Sequence, residues 1–263
     1  MPLNSKIGAI CVELLDGNLA LLRGAEAGLK DELVVHELRV STKRLRSAWK
    51  MVAEKIDPGL KTSRAEAMKE FSALLAGDRD LHVLETLSRE LDLKYPEAGF
   101  SSVLTYLADN FEGDSESASP ERVEAIMEAE KLAWGEVSFD SFAEEQKNHR
   151  RAIRSSLRKA REATHEAVQS KDAEVWHTWR KKVKNLRYQR EFLAHIQGRI
   201  PGKWDLRISL LGSRLGDRND LANLTEIAEK LGNPPLLRKA IAAEERDLLG
   251  NCRRLGGRNL LRK

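Results

Sequence analysis

One stretch of this sequence occurs twice, and any fold the chain adopts has to accommodate both copies. VHELRVSTKRLRSAWK, from Val35 to Lys50, returns as WHTWRKKVKNLRYQRE, from Trp176 to Glu191. At a constant offset of 141 residues, His36 matches His177, Arg39 matches Arg180, Lys43 matches Lys184, Leu45 matches Leu186 and Arg46 matches Arg187. A helical residue advances about 100°, so the shared spacing of His, +3, +7 and +10 puts those polar side chains within roughly an 80° arc, one stripe along a helix. Lys50 prolongs the first stripe, Tyr188 lies beside the second, and Arg44 and Lys181 add to the cationic set. The opposite faces are apolar, with Val34, Leu38, Leu45, Trp49 and Val52 in one copy and Val175, Trp179, Val183, Leu186 and Leu193 in the other. Each copy therefore reads as an amphipathic helix that packs one face and offers the other.

An ordinary Lys/Arg-rich helix carries a solvated face laced with i,i+4 ion pairs. Here acids are scarce. Residues 36–50 hold five Lys/Arg and one Glu, and residues 177–191 hold six and one, giving windows of +4 and +5 in a chain whose total is +4. The rest of the chain sums to −5, so the positive charge is concentrated. A third row, Lys147, Arg150, Arg151, Arg154, Arg158, Arg161 and His165, falls within about a 100° arc of a helix. Residues 147–161 contain seven Lys/Arg and no acid. A solvated face is an equal alternative for this row, because nothing in the first half matches it.

With 263 residues the chain can bury a sizeable core, and 33% charged with 41% hydrophobic residues suits a soluble helical protein. Only 5% of residues are aromatic, and Leu, Ala, Glu, Lys and Arg recur at helical spacing, which predicts an all-α fold. The amino terminus lacks a signal-peptide pattern, and no window approaches ~18 uninterrupted apolar residues. A cytoplasmic location is expected. Cys11 and Cys252 are too few for a disulfide framework or a zinc cage; Cys11 reads as core and Cys252 as incidental.

Ser5 caps a first helix running to about Lys30, and the first signature helix follows a break near Asp31. Pro58 and Gly59 end it. Further helices run to about Leu75, then from Arg79 to Leu93, then around Phe100 to Phe111. The stretch EGDSESASPE is acidic, Ser-rich and poor in large apolar residues, so 113–119 reads as a linker between 1–112 and 120–263. Helices from Pro120 to Trp134, Ser141 to Gln169 and Asp172 to Ile196 come next. LLGSRLGDRNDLANL then follows the second copy as EFSALLAGDRDLHVL follows the first, with Leu75, Asp80, Leu81 and Leu84 matching Leu215, Asp220, Leu221 and Leu224 at an offset of 140. The order predicts a tandem duplication of a roughly four-helix bundle.

The pair HxLRVxxKRLR and HxxRKKxKNLRY, each followed some 35 to 40 residues on by a turn of the LxxxRD or LGxxND type, resembles the CHAD domain, the conserved histidine α-helical domain. The resemblance covers nearly the whole chain. It implies two four-helix bundles related by a pseudo-twofold axis, with the signature helices facing a central basic channel that binds inorganic polyphosphate. Many members of that family are joined to a CYTH triphosphatase domain with an ExExK strand motif; no such strand region is found here, so the chain resembles a stand-alone module. Two positions depart from the pattern, Ala76 where Gly is usual and Asn219 where the first turn has Arg79. The resemblance also makes polyphosphate granules a place of association.

The residues fit that ligand independently. A linear phosphate polymer carries about one negative charge per residue and no bases, so its receptor is a groove of Arg and Lys with few stacking aromatics. The candidate contacts are His36, Arg39, Lys43, Arg44, Arg46, Lys50, Arg151, Arg154, Arg158, His177, Arg180, Lys181, Lys184, Arg187 and Tyr188. His36 and His177 are either phosphate contacts or satisfied structural residues; a neutral imidazole still has one N–H to donate. No metal is expected, because Val40 and Lys181 occupy their i+4 positions and no carboxylate shares the stripe. Asp80 and Asp220 read as helix caps or partners of a stripe arginine. The sequence has no P-loop, HExxH, GxSxG or carboxylate cluster, so a non-enzymatic binding module without cofactor is favoured. The alternatives are sequence-independent binding to RNA or DNA backbone, a phosphohydrolase, and a scaffold for an acidic protein partner.

Overall fold

The computed structural model describes residues 5–75, 78–110 and 119–261, with the backbone alone for 78–80. Among these residues the regular structure is entirely helical: ten α-helices, a 3-10 turn at Gly28–Lys30 and a π turn at Gly257–Leu261, without a strand. Helix α1 (Lys6–Gly24) begins at Ser5, whose hydroxyl accepts from the Gly8 amide at 3.1 Å, as the sequence indicates. It ends six residues earlier than Lys30. Gly28 adopts φ +54°, a left-handed conformation that an α-helix cannot continue through, so 25–30 becomes a connection.

The first signature helix, α2 (Glu32–Val52), is capped by Asp31, which accepts from the Leu33 amide at 2.8 Å and the Val34 amide at 3.4 Å. It stops at Val52, well before Pro58. Pro58 instead opens α3 (Pro58–Leu74) behind an Asp57 cap, where a missing N–H is harmless. Then come α4 (Asp78–Lys94), α5 (Phe100–Asn110), α6 (Pro120–Gly135), α7 (Phe142–Gln169), the second signature helix α8 (Ala173–Ile196), α9 (Lys203–Lys230) and α10 (Pro235–Gly256). Position Ala76 and most of the 113–119 linker lie outside the described residues.

One expectation is overturned. The LGxxND segment is no turn: α9 runs unbroken from Lys203 to Lys230 and carries Leu215, Asn219 and Asp220 in its middle. No proline interrupts it, and its two interior glycines, Gly212 and Gly216, are buried within the helix at a cost of roughly 1 kcal/mol each relative to alanine, which a helix of this length tolerates. In the first half the matching span is divided between α3 and α4.

By contacts the chain forms two compact units, one of Met1–Ala76, Glu116–Lys159 and Asn185–Asp205, the other of Gly77–Ser115, Ala160–Lys184 and Leu206–Lys263. In the first unit α1 packs on α2 and α6, and α3 packs on the same two helices, which closes a ring of four. Its core takes Ile7, Cys11 and Leu15 from α1, Leu38, Leu45 and Trp49 from α2, Phe71 from α3 and Trp134 from α6. Trp49 stacks on Trp134 with centroids 3.9 Å apart. Glu130 on α6 is fully buried there, accepting from the Trp49 indole at 2.8 Å and from Arg64 at 3.1 Å. Burial pushes the Glu130 carboxyl above its ordinary pKa despite those two donors.

The second unit packs α4 on α5. Its core joins Leu84, Leu91, Phe100, Val103 and Leu107 to Leu221, Leu224, Ile227, Leu237 and Ile241. Cys252 is fully buried rather than incidental, and burial pushes its thiol up to about 12. Gly256 is required by a close approach, since a Cβ there would sit 2.5 Å from the Trp179 ring and 3.0 Å from Thr164.

Candidate functional site

In the first unit three helices carry candidate cations: α2, the amino-terminal part of α7 and the carboxy-terminal part of α8. Their apolar residues fix how they lie. Leu38, Leu45 and Trp49 turn one face of α2 inward, Ile153 does so for α7, and Leu186, Phe192 and Leu193 for α8. Polar side chains then tie the three together at one level. Lys50 donates to Asn185 Oδ1 at 3.0 Å, and Asn185 Nδ2 donates to Ser156 Oγ at 3.0 Å. Beside them, Gln189 Nε2 donates to the Ser47 carbonyl at 3.3 Å. Arg46 lies one turn from Lys50 on α2, whereas Arg154 and Arg158 on α7 and Arg187 on α8 stand two residues from Ser156 and Asn185, a spacing that turns them toward another face of their helices.

The individual residues are held differently. Arg39 donates to the Leu75 carbonyl at 2.7 Å, which anchors the end of α3. Arg46 is exposed, as are Arg154 and Arg158. Arg151 pairs with Glu54 at 2.7 Å on the surface. Arg187 donates to Glu191 at 2.7 Å, and the other oxygen of that carboxylate stands 3.8 Å from Arg44. Lys43 and His36 are half-buried, His36 with its Nε2 3.9 Å from Glu37. Tyr188 is only 5% exposed, with the Arg187 guanidinium 5.5 Å from its ring centre, so it lies beneath the row.

In the second unit the row continues on α8 with His177, Arg180, Lys181 and Lys184, and α9 supplies its neighbours. His177 Nδ1 and Asn219 Oδ1 are 2.9 Å apart, a ring N–H donated to an amide oxygen. That bond uses the imidazole's Nδ1–H, so Nε2 becomes a donor to an oxyanion only when the ring is protonated. Asp220 is half-buried mid-helix rather than at a helix start. Burial raises its pKa above the usual carboxylate range, while the charges of Arg180 and Lys184 act the other way. Its side chain is thus a counter-ion within the row. Asp80 lies among the residues described by backbone alone.

Asn185, Ser156, Gln189 and Glu191 escaped the sequence reading, since three are uncharged and the fourth counts against a cationic site. A signal did exist: at the 141-residue offset Asn185 matches Arg44 and Glu191 matches Lys50, the places where the second copy exchanges cations for other groups. Among the described residues, no three His, Cys, Asp or Glu side chains gather as a metal site would need, and no helix is long and apolar enough to cross a membrane.

Among the described residues, ten α-helices and no strand, with Arg and Lys recurring along α2 and α8, define an all-α protein. A family model described as the CHAD domain matches residues 13–229, and the chain belongs to that family. The fold is similar to that in the crystal structure of the CHAD domain from the plant Ricinus communis, at 20% identity and a TM-score of 0.56, covering 95% of this chain and 88% of that one. No curated protein matches the sequence.

Proposed function

We propose that this protein binds linear inorganic polyphosphate along its cationic helix rows, as a binding protein rather than an enzyme, in the cytoplasm. The observation that carries the reading is the junction of α2, α7 and α8, where the Lys50–Asn185–Ser156 chain holds three Arg/Lys-bearing helices within hydrogen-bond reach. A phosphate chain offers a line of oxyanions, and closely spaced guanidinium and ammonium groups suit it by charge-assisted hydrogen bonds. In this reading the chain is a tandem duplication of a roughly four-helix bundle, 1–112 and 120–263 joined through 113–119, with pseudo-twofold symmetry and both signature helices lining a central basic channel. The matched spacing of the two copies supports it.

Nucleic-acid backbone is the second reading, and the buried aromatics weigh against it. Trp49, Trp176, Trp179 and Tyr188 on the signature helices are all buried, so they offer bases no stacking surface. The test is a titration with polyphosphates of graded length, in competition with RNA and DNA at matched salt. Affinity should climb with chain length and fall steeply with salt, because many modest ion contacts act together. Equal affinity for tripolyphosphate and long chains, or preference for RNA, would reject the reading.

A further inference from the structure

Glu191 is the one acid among residues 177–191, a window with six Lys/Arg, and in the first unit it stands between two of the candidate contacts. Its Oε1 accepts from Arg187 Nε on the same helix at 2.7 Å, and its Oε2 lies 3.8 Å from Arg44 Nε on α2. The first contact is a charge-assisted hydrogen bond, the second an ion pair beyond hydrogen-bond length. The three side chains are partly exposed, Arg44 to 36%, Glu191 to 33% and Arg187 to 26%, so the cluster is open to ions from solvent.

The internal duplication supplies a version of the same helix without the acid. Arg46 corresponds to Arg187 and Lys50 to Glu191, so the i,i+4 pair is two cations on α2 and a cation with an acid on α8. Arg46 is exposed with a lysine in the matching place, so presenting this arginine does not require a carboxylate.

We infer that Glu191 is an autoinhibitory counter-anion, which occupies Arg44 and Arg187 in the free protein and is displaced when those groups meet a phosphate chain. The inference rests on the proposed polyphosphate reading and assigns that site its own restraint. A carboxylate and a phosphate oxygen compete for the same guanidinium N–H groups, and the carboxylate has the advantage of being tethered beside them. Displacing it lowers the affinity of any anion that uses this pair. A small phosphate that makes only this contact exchanges one anion for another with little gain, whereas a chain held at further cations along the row still binds. Glu191 thereby sets a threshold that keeps the pair clear of small anions.

The experiment titrates the intact chain with long-chain polyphosphate over a range of salt, in the wild type, Glu191→Gln, Glu191→Ala and Glu124→Gln, with a melting scan to establish that each variant is folded. Glutamine keeps an oxygen to accept from Arg187 but carries no charge, so the helix contact survives while the counter-anion is gone. Glu191→Gln should bind about tenfold more tightly, the scale of one charge-assisted hydrogen bond. Its affinity should also fall more steeply with salt, because more cationic charge is left for the ligand to neutralise. Glu191→Ala, which deletes the bond to Arg187 as well, should show the same gain. Glu124→Gln is the control for net charge: Glu124 on α6 pairs with Arg23 on α1 at 3.0 Å, neither of them a candidate contact, so its loss should change affinity by less than about twofold. Equal or weaker binding by a folded Glu191 variant, or an equal gain in Glu124→Gln, overturns the inference and leaves the polyphosphate reading intact. If wild type and Glu191 variants alike bind no polyphosphate, that reading falls and this inference falls with it.

Discussion

Arg39 and Arg46 are two turns apart on α2 and carry the same charge, yet their surroundings separate them. Arg39 holds the Leu75 carbonyl at 2.7 Å, whereas Arg46 is exposed. Arg39→Ala should cost about 1 kcal/mol, the usual net worth of such a bond, and Arg46→Ala should stay within about 0.5 kcal/mol of wild type. Denaturant titration of both variants checks this, and each should also bind long polyphosphate less well. Equal stability loss in the two would mean that Arg46 too is a structural residue. Asp220 presents the opposite case, an acid within a row of bases. Its folded pKa is raised, chiefly by burial, so the stability tied to its protonated form is present at low pH and is lost as pH rises through that value. Asp220→Asn removes this loss and should be at least as stable as wild type at neutral pH. It also frees Arg180 and Lys184 from an internal counter-charge, so polyphosphate affinity should rise; a fall would show that Asp220 positions those cations instead.

Helix α7 links two burial problems that periodicity does not reveal. Glu145 reaches the start of α1, accepting from the Ser5 hydroxyl at 3.0 Å and from the Lys6 and Ile7 amides at 3.2 and 2.9 Å. One turn on, His149 is fully buried with neither ring nitrogen hydrogen-bonded, edge-on to Phe139 and 3.9 Å from Glu145. Burial lowers the His149 pKa, and the nearby Glu145 charge only partly opposes the shift. An unfolded histidine binds its proton near pH ~6.5, so stability is full above that pH and is lost as pH falls toward the folded value. The melting temperature should drop between pH ~7 and ~5, and His149→Phe should flatten that drop. An unchanged slope in the variant would place the titration elsewhere. The faces of α2 and α8 were legible from sequence because a 3.6-residue period records which side is buried; Leu38, Leu45, Trp179 and Leu186 all follow it. The Ser5 and Asp31 ends were legible because caps are local chemistry. Glu145 serving an amide 138 residues away, and Glu130 buried between Trp49 and Arg64, depend on tertiary neighbours that no local window contains. The same limit explains α9, where Gly212 and Gly216 look like a turn until their burial is known.

At the scale of the whole molecule, net charge conceals the feature that matters. A total of +4 is modest, but 36–50 and 177–191 together exceed it and leave the remainder negative. In the proposed reading, attraction for a polyanion rests on those two segments together with residues 147–161, which hold seven Lys/Arg and no acid, and acids elsewhere tend to repel a ligand that strays from them. Arg46 belongs to one compact unit and Arg180 to the other, which makes them suitable for asking whether a single ligand uses both rows. Linking two half-sites through one polymer raises the effective concentration of the second contact to about the millimolar range, so the rows reinforce each other only on a chain long enough to reach both. Arg46→Glu and Arg180→Glu, made singly in the intact chain, should each sharply weaken binding of long polyphosphate while changing tripolyphosphate affinity little. The number of long chains bound per protein should stay the same. Calorimetry reads affinity and stoichiometry in one titration. If each variant instead kept one site at wild-type affinity and lost half the stoichiometry, the two rows would be independent receptors, and the duplication would have doubled a site rather than divided one.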